Sequence, residues 1–410
     1  MSSPLAPPVH ADVHSHALAR CLGGPLVGGN RVTLLEDGPD AFAAMFRAVD
    51  AARDHVNLES YIIEAEGPGA EMQRRLIERA RAGVRVNLLF DSFGSIRTNA
   101  GFFDALRRAG VTVCEYNPLR RWQMLMSRAL HWRDHRKLMV VDGRIGFIGG
   151  VNIASVYACG SAPLGGSGGA SDEAAAARRG EPGWRDLHVQ VEGPVVARLQ
   201  QLFVQHWQRH APFPMPAAVY FPTLRAVGTQ AVGVAATDAG HRRNPHYRAL
   251  LGAIDSARSR IHLMTAYLAP PRRLLRALTR AAERGVRVEL LLPGKSDSWA
   301  ALHAGRSHFS RLLRAGVRIY ERHDTTLHAK ACVIDGVWAS IGSSNADWRS
   351  VLHNAEANLV MLDREFAAEL ERVFRADVRL ARSIDAERWQ RRSRWRRWQE
   401  SLARRFEFLL

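Results

Sequence analysis

Lysine is nearly missing from this sequence. Of its 57 basic residues only Lys137, Lys295 and Lys330 are lysines, and the other 54 are arginines. Acidic residues are also sparse, 40 against 57, which leaves a net charge of +17. Such a surface attracts polyanions, either nucleic acid or anionic lipid headgroups, and charge alone does not choose between them. Cysteine is scarce too. Cys21, Cys114, Cys159 and Cys332 lie far apart with no C-x-x-C pair. That excludes a disulfide framework or a cysteine zinc site and favours reduced, buried thiols in a cytosol-facing protein. No run of about 18 strongly apolar residues exists that would span a bilayer. The best stretch, Ile145 to Gly160, is broken by Gly146, Gly149, Gly150, Asn152 and Ser155. The first residues, MSSPLAPPVHADVHSH, lack the basic and apolar regions of a signal peptide. Any membrane contact is therefore expected to be peripheral. Glycine-rich stretches occur, but no G-x-x-x-x-G-K-[ST] phosphate loop.

What is present is a duplication. With 410 residues, 47% of them hydrophobic, the chain can build two domains with real cores. Ala48-Val-Asp-Ala-Ala-Arg-Asp-His-Val-Asn-Leu58 before Tyr61 is echoed by Ala253-Ile-Asp-Ser-Ala-Arg-Ser-Arg-Ile-His-Leu263 before Tyr267. Arg81-Ala-Gly-Val-Arg-Val86 matches Glu283-Arg-Gly-Val-Arg-Val288, and Arg107-Arg-Ala-Gly-Val-Thr-Val113 matches Leu313-Arg-Ala-Gly-Val-Arg-Ile319. Gly83, Gly110, Gly285 and Gly316 stand where a helix stops before a β-branched strand. Three matches in one order make chance resemblance of ordinary βα units a poor explanation. Alternating helices and strands predict an α/β layer in each half.

The chemistry is carried by two further copies of one pattern. His135-Arg-Lys-Leu-Met-Val-Val-Asp142 and His328-Ala-Lys-Ala-Cys-Val-Ile-Asp335 are both H-x-K-x-x-x-x-D. Each runs on to a Gly-rich turn and an asparagine, Gly149-Gly-Val-Asn152 and Gly342-Ser-Ser-Asn345, at an equal interval of 17 from its histidine. On a strand, residues i and i+2 share a face, so His135 sides with Lys137 and His328 with Lys330. The aspartates close each strand at an Asp-Gly turn. In a chain that uses arginine almost everywhere, two of three lysines stand two residues after a histidine. A compact ammonium is needed there, where a planar guanidinium would not fit.

These residues resemble the phospholipase D superfamily, which is defined by two such H-K-D motifs. Within it they resemble bacterial cardiolipin synthases, in particular those without amino-terminal membrane spans. The supporting text is Gly342-Ser-Ser-Asn345 running through Trp348-Arg-Ser350 to Asn354 and Glu356, with Gly149-Gly-Val-Asn152 and the Leu187 to Pro194 segment. The likeness covers roughly residues 30 to 380. One departure is His353-Asn354-Ala355-Glu356, where that family often places an aromatic between asparagine and glutamate.

The resemblance implies two pseudo-twofold-related α/β/α sandwich halves with the active site between them. It implies that one histidine, His135 by preference, attacks phosphorus and forms a phosphohistidine. The other, His328, protonates the leaving alcohol and then deprotonates the incoming one. Lys137, Lys330, Asn152 and Asn345 would hold the non-bridging oxygens. Asp142 and Asp335 would each orient a histidine, within its own copy or across to the other, and Glu356 would support the site. No metal or other cofactor is implied, since the lysines supply the positive charge. The substrate would be phosphatidylglycerol in an anionic membrane at the cytoplasmic face of a bacterial cell, and the products cardiolipin and glycerol. A phosphodiesterase acting on another phospholipid or on nucleic acid is the rival within the superfamily. A non-catalytic basic membrane scaffold is the rival outside it, and both complete triads argue against that.

The expected boundaries are a flexible N-terminus over 1–30, a first half over 31–210, and a linker over 211–241. A second half over 242–380 and a basic amphipathic helix over 381–410 complete the chain. His10, His14 and His16 fall in the first of these and read as a solvated terminus. The first copy carries about thirteen extra residues near Asn117 to Trp132, and a Gly/Ala/Ser-rich loop runs from about Gly160 to Gly183. In the tail, Trp395, Trp398, Leu402, Phe406 and Leu409 form an apolar stripe among arginines, the composition of a helix lying on anionic lipid.

Overall fold

The helix–Gly–strand units set the layout. In the computed structural model, which describes residues 18, 21–22, 24–119, 131–161, 183–241 and 243–409, Gly83 and Gly285 sit at φ 90° and 88°. That left-handed region is open to glycine at no steric cost. There the Val84 N–H reaches back to the Arg79 carbonyl at 3.0 Å, so that only three residues separate the end of one helix from the start of the next strand.

The first half runs β1 (Val27–Glu36), α1 (Asp37–Ala51), β2 (His55–Ser60), α2 (Pro68–Arg81), β3 (Arg85–Asp91), α3 (Ala100–Arg108) and β4 (Thr112–Tyr116). It continues through β5 (Lys137–Val141), β6 (Ile145–Gly149), β7 (Leu187–Glu192) and α4 (Val196–His210). The second half repeats the plan with β8 (Gln230–Thr237), α5 (Pro245–Ser256), β9 (Arg260–Met264), the short β10 (Leu268–Ala269), α6 (Arg272–Glu283) and β11 (Arg287–Pro293). After it come α7 (Trp299–Arg306), α8 (Phe309–Arg314), β12 (Arg318–Arg322), β13 (Ala331–Ile334) and β14 (Trp338–Gly342). Then follow β15 (Ala346–Asp347), α9 (Trp348–Leu352), β16 (Glu356–Leu362) and α10 (Arg364–Arg379).

Strand order in the first half is β1-β7-β6-β5-β2-β3-β4, and in the second β8-β16-β14-β13-β9-β11-β12. The two orders are copies. They join where β1 pairs antiparallel with β8, so one 15-stranded sheet crosses the molecule with its pseudo-twofold axis at that seam. One apolar cluster lies under α1, α2 and α3, and another under α5 and α6. A third, shared cluster packs Phe203 and Trp207 of α4 together with Leu327, Ala329 and Phe374 of the second half. The halves thus share a core.

Three expected boundaries move. The N-terminus is not loose through residue 30: β1 begins at Val27, and Leu18 is buried in the second half's core. The expected linker contains β8, the seam strand itself. Its small residues hid it, and Gly233 shows why they are small. A Cβ there would come within 2.4 Å of Leu22 and 2.8 Å of Leu26. The tail is not a single helix. It comprises β17 (Ala381–Ser383), α11 (Ala386–Gln390), α12 (Arg394–Arg405) and a final 3-10 turn over Glu407–Leu409. Of the extra segment near Asn117 to Trp132, residues 120–130 lie outside the described residues. So do 162–182 of the Gly-rich loop and the three N-terminal histidines.

Candidate active site

Each H-K-D segment enters its strand by way of the opposite half. The His135 N–H donates to the Ala355 carbonyl at 2.9 Å, and the Ala355 N–H returns to Arg133 at 2.8 Å. Symmetrically, the His328 N–H donates to the Arg185 carbonyl at 2.7 Å and the Arg185 N–H to Thr326 at 3.0 Å. These two short parallel bridges lock the halves together at the two histidines. The residue after each bridging partner is a carboxylate, and it lands on the ring. His135 Nδ1 lies 3.1 Å from Glu356 Oε1, and His328 Nδ1 lies 2.6 Å from Asp186 Oδ2. Every one of these groups is buried.

The aspartates of the H-K-D motifs are elsewhere. Asp142 and Asp335 sit in the left-handed turns after β5 and β13, at φ 52° and 54°. Asp142 accepts from the N–H groups of Arg53, Asp54 and His55 at 2.8–2.9 Å. Asp335 does the same for Arg258, Ser259 and Arg260 at 2.8–3.0 Å. The expectation that they orient the histidines is therefore corrected: they tie each β-hairpin to the strand beside it. Seven residues of extended chain place them about 20 Å from their histidines.

The lysines lie as the period of two requires. Lys137 Nζ donates to the His135 carbonyl at 2.6 Å and faces the Tyr61 ring, whose centroid is 5.2 Å away. Lys330 Nζ donates to the His328 carbonyl and lies 2.7 Å from His328 Nδ1. Burial lowers both ammonium pKa values, Lys137 to about 7 and Lys330 to about 8, while Glu356 and Asp186 act against the shift. Burial, then the neighbouring lysines, lowers His135 to about 4 and His328 well below its usual value. The carboxylates diverge. Burial pushes Asp186 up to about 6, against Lys330 and the Leu187 N–H. Burial would raise Glu356 as well, but His135, Lys137 and the Ser343 hydroxyl together hold it below the usual range. An arriving phosphodiester anion favours charged lysines, so substrate and ammonium stabilise one another.

The asparagines differ. Asn152 Oδ1 accepts from the Ile62 N–H at 3.2 Å and its amide donates to the Tyr157 hydroxyl at 3.2 Å. The Asn345 N–H donates to Ser350 Oγ at 3.0 Å, while its buried Oδ1 has no partner among the described residues. Tyr61 and Tyr267 flank the centre, with ring centroids 5.1 Å from His135 and 6.4 Å from His328.

Asp186, Tyr157, Ser343 and Ser350 were not picked out as site residues from the sequence. The signal for Asp186 was available. Asp186 directly precedes Leu187-His-Val at the start of β7, as Glu356 opens Glu356-Ala-Asn-Leu at the start of β16, so the internal repeat extends to this strand as well. Behind the first motif, on the other face of the sheet, Glu59, Asp134 and His206 lie within metal-ligand reach of one another. Arg136 stands 3.7 Å from Glu59 and brings positive charge to that group. The second half has Leu327 and Ala329 at the positions of Asp134 and Arg136, inside the apolar core.

Two H-K-D halves closing on a pair of buried histidines, on this sheet topology, define a protein of the phospholipase D type. A family model for the phospholipase D-like domain of cardiolipin synthases matches residues 45–156 and 250–378. A cardiolipin synthase of Geobacillus kaustophilus (strain HTA426) is 33% identical over 388 residues, covering 94% of this chain and 74% of its own. Cardiolipin synthase 1 of Bacillus anthracis is 31% identical over 396 residues, covering 95% of this chain and 74% of its own. A crystal structure of phosphatidylserine synthase from Haemophilus influenzae Rd KW20 superimposes with a TM-score of 0.67 at 14% identity, over 97% of this chain and all of that one. It bears on the fold alone. The chain belongs to the cardiolipin synthase family of phospholipase D-like enzymes.

Proposed function

We propose that this enzyme moves a phosphatidyl group from one phosphatidylglycerol to the hydroxyl of another, forming cardiolipin and releasing glycerol. The observation that carries the reading is the pair of buried histidines, each held at Nδ1 by a carboxylate of the opposite half. That arrangement leaves both Nε2 atoms for chemistry, one on phosphorus and one on the departing oxygen. His135 Nε2 attacks phosphorus and the bond to glycerol breaks as His328 supplies a proton to its oxygen. The incoming lipid hydroxyl then gives its proton to His328 and displaces His135. Lys137 and Lys330 neutralise the charge on the non-bridging oxygens, with Asn345 the freer of the two asparagines to assist. No step requires a metal.

Phosphatidylglycerol labelled in its headgroup, presented to the purified enzyme in vesicles, should yield one free glycerol per cardiolipin. A phosphohistidine should be trapped on His135. Phosphatidic acid as the main product, or cleavage of an oligonucleotide without any lipid product, would reject the reading in favour of a phosphodiesterase.

The reading places the enzyme peripherally on the cytoplasmic face of an anionic membrane. No helix among the described residues is long and apolar enough to cross one. Helix α12 packs on α7 by the face bearing Glu400 and Ala403, which are buried. Its tryptophans stay out: Trp395 and Trp398 are 63% and 53% exposed, with their rings stacked 4.8 Å apart. Phe408 folds back against Trp348 and His353, only a few residues from Asn345 and Glu356. Stacked, exposed tryptophans among arginines suit the headgroup layer, where each basic residue contributes about 1 kcal/mol. Trp395→Ala together with Trp398→Ala should cut sedimentation with anionic vesicles about tenfold or more at low salt. Binding of the wild type should fade as ionic strength rises. Equal binding by variant and wild type would mean that this helix only packs on the body.

A further inference from the structure

The two halves do not treat their histidines alike. Five residues beyond the asparagine the first copy has Tyr157 where the second has Ser350, and just after the strand glycine it has Gly150 where the second has Ser343. In the second half both hydroxyls serve the carboxylate: Ser343 Oγ donates to Glu356 Oε2, and Ser350 Oγ to Glu356 Oε1 at 2.8 Å. With its oxygens supplied with donors, Glu356 stays ionised and His135 donates Nδ1–H to it, leaving the Nε2 lone pair free.

In the first half Asp186 receives no hydroxyl from the described residues. A Cβ on Gly150 would lie 2.0 Å from Asp186 Oδ1, so a serine cannot stand there. The hydroxyl goes to the ring instead: Tyr157 Oη lies 3.0 Å from His328 Nδ1 and is itself held by the Asn152 amide. His328 Nδ1 therefore has three neighbours, Asp186 Oδ2 at 2.6 Å, Lys330 Nζ at 2.7 Å and Tyr157 Oη at 3.0 Å. A ring nitrogen either donates one proton or accepts through one lone pair. An ammonium can only donate, and the tyrosine hydroxyl can donate as well. Both favour a lone pair on Nδ1, which puts the ring proton on Nε2.

We propose that Tyr157 is a positioning residue that separates the two histidines in role, holding His328 as the bearer of an Nε2 proton for the leaving alcohol while His135 is the nucleophile. This rests on the two-histidine reading above. In the first step the P–N bond to His135 Nε2 forms and the P–O bond to the departing alcohol breaks. The Nε2 proton of His328 moves to that oxygen, and Nδ1 takes up the carboxyl proton that burial favours on Asp186 and that a lone pair on Nδ1 requires across the 2.6 Å contact. Asp186 is left ionised with Lys330 close by. In the second step the proton of the incoming hydroxyl goes to His328 Nε2, and the Nδ1 proton returns to Asp186.

A general acid matters most when the leaving group is a poor one. Tyr157→Phe keeps the buried ring and removes only the hydroxyl. On phosphatidylglycerol, with glycerol leaving, it should lower kcat about 100-fold at little change in KM. On phosphatidyl-p-nitrophenol, whose leaving group needs no proton, its penalty should be at least about tenfold smaller. Ser350→Ala, which acts on the nucleophile's carboxylate, should slow both donors alike. Ring-nitrogen NMR of His328 should show the Nε2–H tautomer in the wild type and less of it in Tyr157→Phe. Equal penalties on both donors, or an unchanged tautomer, would overturn the assignment. Turnover by His135→Ala, or no lipid transfer by the wild type, would instead reject the reading on which it rests.

Discussion

His135→Ala and His328→Ala each abolish turnover, by about 10⁴-fold or more, because nucleophile and acid act as one unit and neither step proceeds without both. The protein should still fold in both variants. His135 leaves behind Glu356, which keeps Ser343, Ser350 and Asn354 as donors, so that carboxylate is not stranded. His328 leaves Asp186 with the Leu187 N–H and the charge of Lys330. Losing one buried hydrogen bond costs about 1–3 kcal/mol, which a shared core of this size absorbs. Headgroup release measured beside a thermal melt checks both parts. Turnover within tenfold of wild type in either cooperatively melting variant would remove the two-histidine mechanism.

The second large effect separates carboxylates that touch the rings from those that do not. Glu356→Gln and Asp186→Asn should each lower kcat about 10³-fold or more: the first removes the ionised acceptor that holds Nδ1–H of the nucleophile, and the second leaves an amide with no proton to pass to His328 Nδ1. Asp142→Ala and Asp335→Ala should do something else. Each strips an acceptor from three backbone N–H groups and places alanine at a positive φ. That should cost about 2–4 kcal/mol of stability while the folded fraction turns over within several-fold of wild type. Urea denaturation with kcat measured on the folded protein tests the contrast. If Asp142→Ala kept its stability and lost its chemistry, the motif aspartates would belong in the mechanism after all.

Much of the fold was legible because its signals are local. A glycine ending a helix, a β-branched run and a period of two act within a few residues, and duplication printed each signal twice. The seam strand β8 escaped because Gly233 is small to admit Leu22 and Leu26, contacts from a segment more than 200 residues earlier. The tail misled for a similar reason. Its apolar stripe is real, but Phe406 lies beyond the last turn of α12, and the following residues bend Phe408 back onto Trp348. Nothing within the tail encodes that bend.

The sequence by itself determined the reaction centre's donors. Two histidines, two lysines and two asparagines recur at fixed spacing, and strand geometry alone aligns each histidine with its lysine. Only the tertiary structure decided which carboxylate serves which ring. Glu356 is 221 residues from His135, Asp186 is 142 residues from His328, and both pairs cross the seam. The nearby aspartates were the natural sequence choice, but strands of five and four residues carry them to the far ends. Contact across the pseudo-twofold axis depends on how the halves dock, through β1 on β8 and the two backbone bridges, and no local spacing records it.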